Sequence, residues 1–264
     1  MQAQQQEGFT ATRYGRIHSV EQGAGEPLIL LHSNGCSNHE FDAVLPLLAA
    51  NYRCIAWDMP GHGDSEPGPN RHLSVVDYVD AVVAFMDSMG IARAHVGGAS
   101  IGGMIALAMG ALAPERALSV AIIEAPLCSE REWIAGWLRT ERMFTVLQQT
   151  EAEVAPRLRK LTPELLERWN IDRLKAGSWR MMDVMWALRQ FDSRAHLQRM
   201  QAPACVVIGD KGPVFASKGA YEDLLPRAPL KVIADAGHFP MIDDPQGFAS
   251  ALHESIQAAC AAAR

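Results

Sequence analysis

Six short apolar runs, each bounded by turn residues and most separated from the next by a helical pattern, constrain this chain more than any other feature. The runs cover 28–32, 53–57, 94–98, 119–124, 204–209 and 230–234. Runs this short and this uniformly apolar read as strands buried on both faces, which is how parallel strands are built. The segments 41–50, 75–89, 101–113, 217–225 and 245–262 place apolar residues three and four apart, several with Pro, Ser or Asp near the start, and are predicted as helices. Strand-helix alternation implies an α/β architecture, a parallel sheet covered by helices on both faces. A two-stranded antiparallel lead-in over 10–22, turning at Tyr14-Gly15, is expected to precede it.

Between about 126 and 200 the alternation stops. That interval is helical in pattern and far longer than a connection of about 2–6 residues. It predicts a helical cap (126–200) inserted between two parts of one core (1–125 and 201–264). Five of the six tryptophans fall in it, Trp133, Trp137, Trp169, Trp179 and Trp186, together with Met143, Met181, Met182 and Met185. Aromatic residues at helical spacing serve as the core of a small layer. Alternatively, Trp133, Trp137, Trp186 and Met182 line an apolar substrate pocket between cap and sheet, with Phe239 contributed from the core.

Composition narrows the partners. A chain of 264 residues, 48% hydrophobic and 20% charged, can bury one large core. Its net charge of −6 argues against nucleic acid or an anionic membrane as the main partner and for a small, neutral or apolar molecule. The start, M-Q-A-Q-Q-Q-E-G, lacks a basic, apolar secretory pattern, and no apolar run approaches the roughly 18 residues that span a bilayer. Five scattered cysteines, Cys36, Cys54, Cys128, Cys205 and Cys260, have no C-x-x-C spacing and suit reduced thiols rather than disulfides or a zinc site. A cytoplasmic protein is therefore expected, with homo-oligomerisation left open.

Gly98-Ala99-Ser100-Ile101-Gly102 has the form G-x-S-x-G, directly after a predicted strand and opening a predicted helix. A nucleophilic serine on so sharp a turn needs small neighbours, because adjacent backbone must approach closely. The helix N-terminus behind it offers N–H groups to a developing oxyanion. Here the sequence resembles the α/β-hydrolase fold family over nearly its whole length. Leu30-Leu31-His32-Ser33-Asn34-Gly35 is similar to the family's L-L-H-G-x loop, Asp58 to Ser65 to its D-x-x-G-x-G-x-S turn, and Ala236-Gly237-His238-Phe239-Pro240 to its G-H-x-P loop.

The resemblance implies a mostly parallel eight-stranded sheet with a cap, a Ser-acid-His triad and no metal or organic cofactor. By it Ser100 is the nucleophile and His238 the general base, since an imidazole titrating near neutrality can take and return the serine proton. The oxyanion hole falls to the Ile101 N–H and to Asn34, through its backbone or its side-chain amide. Ser33 replaces the family's usual glycine. His32 and His62 are read as structural.

The acid is absent from its usual place after the seventh strand, where Gly212 stands in Gly209-Asp210-Lys211-Gly212. Asp210 and Glu124 remain as candidates. Glu124 ends an apolar run, so its carboxylate needs a buried partner. Haloalkane dehalogenases, which carry their acid after the sixth strand, are similar here in placing Glu before Pro, and Glu124 is the expected acid. The same residues fit three further readings: a cofactor-free dioxygenase of N-heteroaromatic rings, a carbon-carbon bond hydrolase, and a binding relative without turnover, for which the loss of an acid at Gly212 is the main support. The leading expectation is a serine hydrolase of a small ester or related acyl compound.

Overall fold

The computed structural model describes residues 5–68 and 72–263; residues 1–4, part of the N-terminal stretch considered above, lie outside them. Eight strands form one sheet: β1 (Gln6–Thr12), β2 (Gly15–Gly23), β3 (Pro27–Leu31), β4 (Arg53–Trp57), β5 (Ala94–Ala99), β6 (Ala117–Ile123), β7 (Ala204–Gly209) and β8 (Leu230–Ile233). Their order is β1-β2-β4-β3-β5-β6-β7-β8. β2 pairs antiparallel with β1 and β4, and every other pairing is parallel. The six predicted runs are the six parallel strands. The lead-in begins at Gln6 rather than at residue 10, because Gln6 to Thr12 find partners along β2 that an exposed polar pattern does not advertise.

The apolar runs lack alternation because both faces are covered. Ile29 and Leu31 face one core with Trp57, Val96 and Ile122, while Leu28 and Leu30 face a second with Cys54, Ile123 and Val207. Helices α2 (Val75–Ser88) and α3 (Ile101–Leu112) cover the first face. The second is covered by α1 (Leu45–Leu48) and, at the end of the chain, α10 (Pro245–Ala262). Each Leu or Ile removed from water contributes about 1.5–3 kcal/mol. The predicted helix over 41–50 is a correction: a 3₁₀ turn at Asn38–Phe41 and the single turn α1 replace it, since Pro46 suits only the first turn of a helix and forces a fresh start.

Between β6 and β7 the chain is helical among the described residues, with α4 (Glu130–Thr145), α5 (Glu151–Val154), α6 (Pro163–Gln190) and α7 (Ser193–Gln198). Ser129 starts α4 with a capping box to Glu132. α6 bends at Gly177, whose backbone leaves the helical region (φ 75°). After β7 come α8 (Lys218–Leu224) and, past β8, the turn α9 (Pro240–Asp243). Among the described residues no helix is long and apolar enough to cross a membrane.

A buried carboxylate fixes the loops at the C-terminal edge of the sheet. Asp58 accepts from the backbone of Asn38 (2.6 Å) and Asp64 (2.9 Å) and pairs with His18 Nδ1 (2.8 Å). It thereby ties the turn after β4 to the loop after β3.

Candidate active site

β5 ends in Ser100, whose backbone (φ 55°, ψ −113°) is one that L-residues rarely adopt, and α3 starts at the next residue. The glycines around it are required by space. A Cβ on Gly98 would stand 2.1 Å from the Gly102 carbonyl oxygen, and one on Gly102 2.1 Å from that of Leu31. Among the described residues, positive φ outside glycine occurs only at Ser100, Glu124 (46°) and Asp235 (59°). Strain of this kind collects where function needs it. The Ser100 N–H is held by Ile123 O (2.9 Å), which sets the serine beside the residue that follows β6. Ile101 opens α3, so its N–H lies ahead of the helix's internal ladder and is free to face a ligand.

That residue after β6 is Glu124, fully buried. Its Oε1 accepts the Gly209 N–H (2.6 Å) and its Oε2 lies 3.0 Å from Nδ1 of His238. The histidine loop is fastened in turn: the His238 N–H donates to Arg157 O (2.8 Å), and the Gly237 N–H to the buried Asp243 carboxylate (2.7 Å). Asp210 is placed elsewhere, paired with Lys211 (2.9 Å). Gly212 lies against Glu124: a Cβ there would stand 2.8 and 3.0 Å from the two carboxylate oxygens. The glycine at the family's acid position is therefore the space that Glu124 fills. Neither Ser100 Oγ nor His238 Nε2 is hydrogen-bonded among the described residues.

The loop after β3 is held from both sides. Asn34 donates its side-chain amide to Met181 O (2.9 Å), so its Oδ1 accepts from His62 Nε2 (3.2 Å). Burial pushes the His62 pKa down to about 3, which keeps this imidazole neutral. The Asn34 side chain thus braces the loop against α6, with its amide and its oxygen both engaged. His32 is equally committed, with Nδ1 on Ser33 O (2.7 Å) and Nε2 accepting from Met59 N–H (2.9 Å). Ser33, in the glycine's place, donates its N–H (2.8 Å) and hydroxyl (3.0 Å) to Glu40.

Burial raises the Glu40 pKa to about 8, against the pull of those Ser33 donors. Between about pH 4.5 and 8 the folded chain therefore holds a proton that the unfolded chain has released, and stability falls as pH rises through that window. Glu40→Gln has no such proton to lose. Its unfolding free energy relative to wild type is expected to shift in the variant's favour from pH 5 to pH 8 and to level above it; urea titrations across that range check this, and a constant difference contradicts it.

A profile of the group described as "Alpha/beta hydrolase family" matches residues 28–251. The chain belongs to the alpha/beta hydrolase family. Among curated relatives of this alpha/beta hydrolase, the dihydrolipoyllysine-residue acetyltransferase component of the acetoin cleaving system of Pseudomonas putida is 28% identical over 228 residues, 83% of this chain and 60% of the relative. This chain thus spans less than two thirds of that relative's length. The pimeloyl-[acyl-carrier protein] methyl ester esterase of Nitrosomonas europaea is 25% identical over 251 residues, 89% of this chain and 97% of the relative. Among solved structures, a membrane phospholipase A described as a bacterial virulence factor superposes with a TM-score of 0.84 at 24% identity, covering 97% of this chain and 86% of its own, a likeness of fold.

The hydrolase carries a cavity of about 480 Å³ lined by Met182 and Trp186 together with His72, Leu73, Trp179 and Asp183. Ser100 and His238 are not among its walls, nor are Trp133, Trp137 and Phe239. Trp133 is buried in the core, and Phe239 packs edge-on against Trp169 and His238. The rings of Trp137 and Trp186 meet at a tilt, 4.5 Å between centroids, under Arg189 and partly open to solvent. Sequence reasoning passed over Glu40 and two arginines, the part-buried Arg157 and the fully buried Arg173. One signal was present: Trp169, Arg173 and Ala176 share the inward stripe of α6, so an arginine occupied a core position.

Proposed function

We propose that this alpha/beta hydrolase cleaves a small carboxylic ester or related acyl compound with an apolar group, through a Ser100-His238-Glu124 triad and an acyl-enzyme. Residues 126–200 serve as a cap over a core formed by 1–125 and 201–264, and the free cysteines suit a cytoplasmic setting. The observation that carries the reading is the buried Glu124 carboxylate 3.0 Å from His238 Nδ1.

His238 then carries its proton on Nδ1 and leaves Nε2 as the base. Ser100 Oγ attacks the carbonyl carbon and gives its proton to Nε2. The N–H groups of Ile101 and of the loop at Asn34 hold the oxyanion, and collapse expels the alcohol, protonated by His238. Water, deprotonated by the same nitrogen, releases the acid and restores Ser100. A relative named as a methyl ester esterase supports ester cleavage.

Intact mass after incubation with a reactive organophosphonate tests this. One adduct on the wild type and none on Ser100→Ala is expected. A folded protein that takes no adduct would contradict the nucleophile, and oxygen uptake with N-heteroaromatic substrates would be measured next.

A further inference from the structure

Two guanidinium groups, one fully buried and one part-buried, lie between the loop after β3 and the histidine loop, with no carboxylate at salt-bridge distance among the described residues. Arg173 on α6 is fully buried. Its Nη2 donates to the carbonyls of Met143 (2.5 Å) and Val146 (2.7 Å) and its Nε to Val146 (3.3 Å), while Nη1 has no hydrogen-bond partner. Arg157 meets it at Met143, donating Nη1 to the thioether sulfur (3.5 Å) and Nη2 to Gln149 (2.8 Å), with its guanidinium 4.7 Å over the Trp169 ring. Burial first, and then the neighbouring charge of Arg173, lowers the Arg157 pKa to about 10, so it remains a cation at neutral pH. The acidic groups that act on both are the Cys36 thiol, whose pKa burial raises so that it stays protonated, and Glu153, an exposed residue already engaged in capping α5. Arginines nearer the surface contrast with them: Arg13, Arg16, Arg53 and Arg116 each pair with an Asp or Glu.

Burying a cation without a counter-charge is costly, and arginine cannot escape by losing its proton. A buried cation with an open donor, and a second, part-buried cation that shares Met143 with it and feels its charge, form a site that an anion completes. The position ties it to the reaction. Arg173 Nη1 lies 3.4 Å from where a Cβ on Gly35 would stand, next to Asn34, and the Arg157 carbonyl holds the His238 N–H.

Resting on the hydrolase reading above, we propose that the substrate bears a carboxylate away from the scissile bond, which Arg173 receives through Nη1 while Arg157 adds its charge. With Nε and Nη2 committed to carbonyls, Nη1 offers a carboxylate oxygen an end-on, charge-assisted hydrogen bond rather than a two-nitrogen fork. The enzyme is thus selective for half-esters of dicarboxylic acids.

The test compares p-nitrophenyl half-esters of succinate, glutarate and adipate with the uncharged p-nitrophenyl esters of matching chain length. The best half-ester is expected to exceed its neutral match in kcat/KM by about 10- to 100-fold, the worth of one charge-assisted hydrogen bond. In Arg173→Gln that ratio is expected to fall towards one, with Arg173→Lys between the two. Cleavage of neutral esters with no preference for the half-esters overturns the carboxylate site and leaves the hydrolase standing. Calorimetric titration of Ser100→Ala with glutarate, and separately with inorganic phosphate, reads the site without turnover. Glutarate binding that Arg173→Gln abolishes supports the site even if no ester is cleaved, whereas absent glutarate binding, or tighter binding of phosphate, overturns it. The wild-type ratio and the Ser100→Ala titration decide the matter even if the arginine variants fail to fold.

Discussion

Glu124→Gln is expected to lower kcat on any ester the enzyme cleaves by about 10³- to 10⁴-fold. The amide can still accept the Gly209 N–H through its oxygen, so the local backbone has a way to stay in place. Its NH₂ then faces His238 Nδ1 and can only donate, which drives the imidazole proton to Nε2, the atom that must be free to act as base. Asp210→Ala is expected to stay within about threefold of wild type, because its carboxylate pairs with Lys211 rather than with the histidine. Steady-state kinetics on the two variants separate the candidate acids; the reverse pattern would assign the acid to Asp210.

Gly212→Ala is expected to lower kcat by about 10- to 100-fold and to reduce the thermal midpoint by several degrees. The backbone at Gly212 is extended (φ −80°, ψ 159°), a conformation that alanine adopts freely, so the effect is one of space alone. The added methyl meets both Glu124 oxygens and, at 2.9 Å, the Gly237 carbonyl in the histidine loop. Either the acid or the histidine must move. The same crowding predicts a rescue. Glu124→Gly removes the carboxylate at a position whose positive φ suits glycine, and adding Gly212→Asp puts one back beside the vacated space. The double variant is expected to recover at least about tenfold in kcat over Glu124→Gly, as befits two strongly coupled neighbours. A double variant no better than Glu124→Gly would show that the two positions are not interchangeable.

These outcomes turn on contacts that link distant parts of the chain, and the sequence revealed only some of them. The elbow was legible because its requirement is local: small residues on either side of Ser100, a strand before it and a helix after it. His238 was legible through the family resemblance of its Gly237-His238-Phe239-Pro240 loop past the last strand. Glu124 was expected as the acid from the cost of leaving a carboxylate at the end of an apolar run and from the likeness to haloalkane dehalogenases, and its contact with His238 spans 114 residues. What Gly212 does was not legible, since a missing side chain in a sequence does not show what occupies its place. Asn34 was left between two roles, because its brace to Met181 crosses 147 positions.

The sequence by itself determined the α/β architecture, since the apolar period within each segment decides which faces must be buried, and burial on both faces leaves a parallel sheet between helical layers as the outcome. It equally determined the strained serine turn. Only the tertiary structure decided which carboxylate meets the histidine, that the Asn34 side chain is spent on holding its loop, and that Arg157 and Arg173 stand together without a counter-charge. Each of these depends on where side chains from separate elements converge, and convergence in space leaves no periodic trace along the chain.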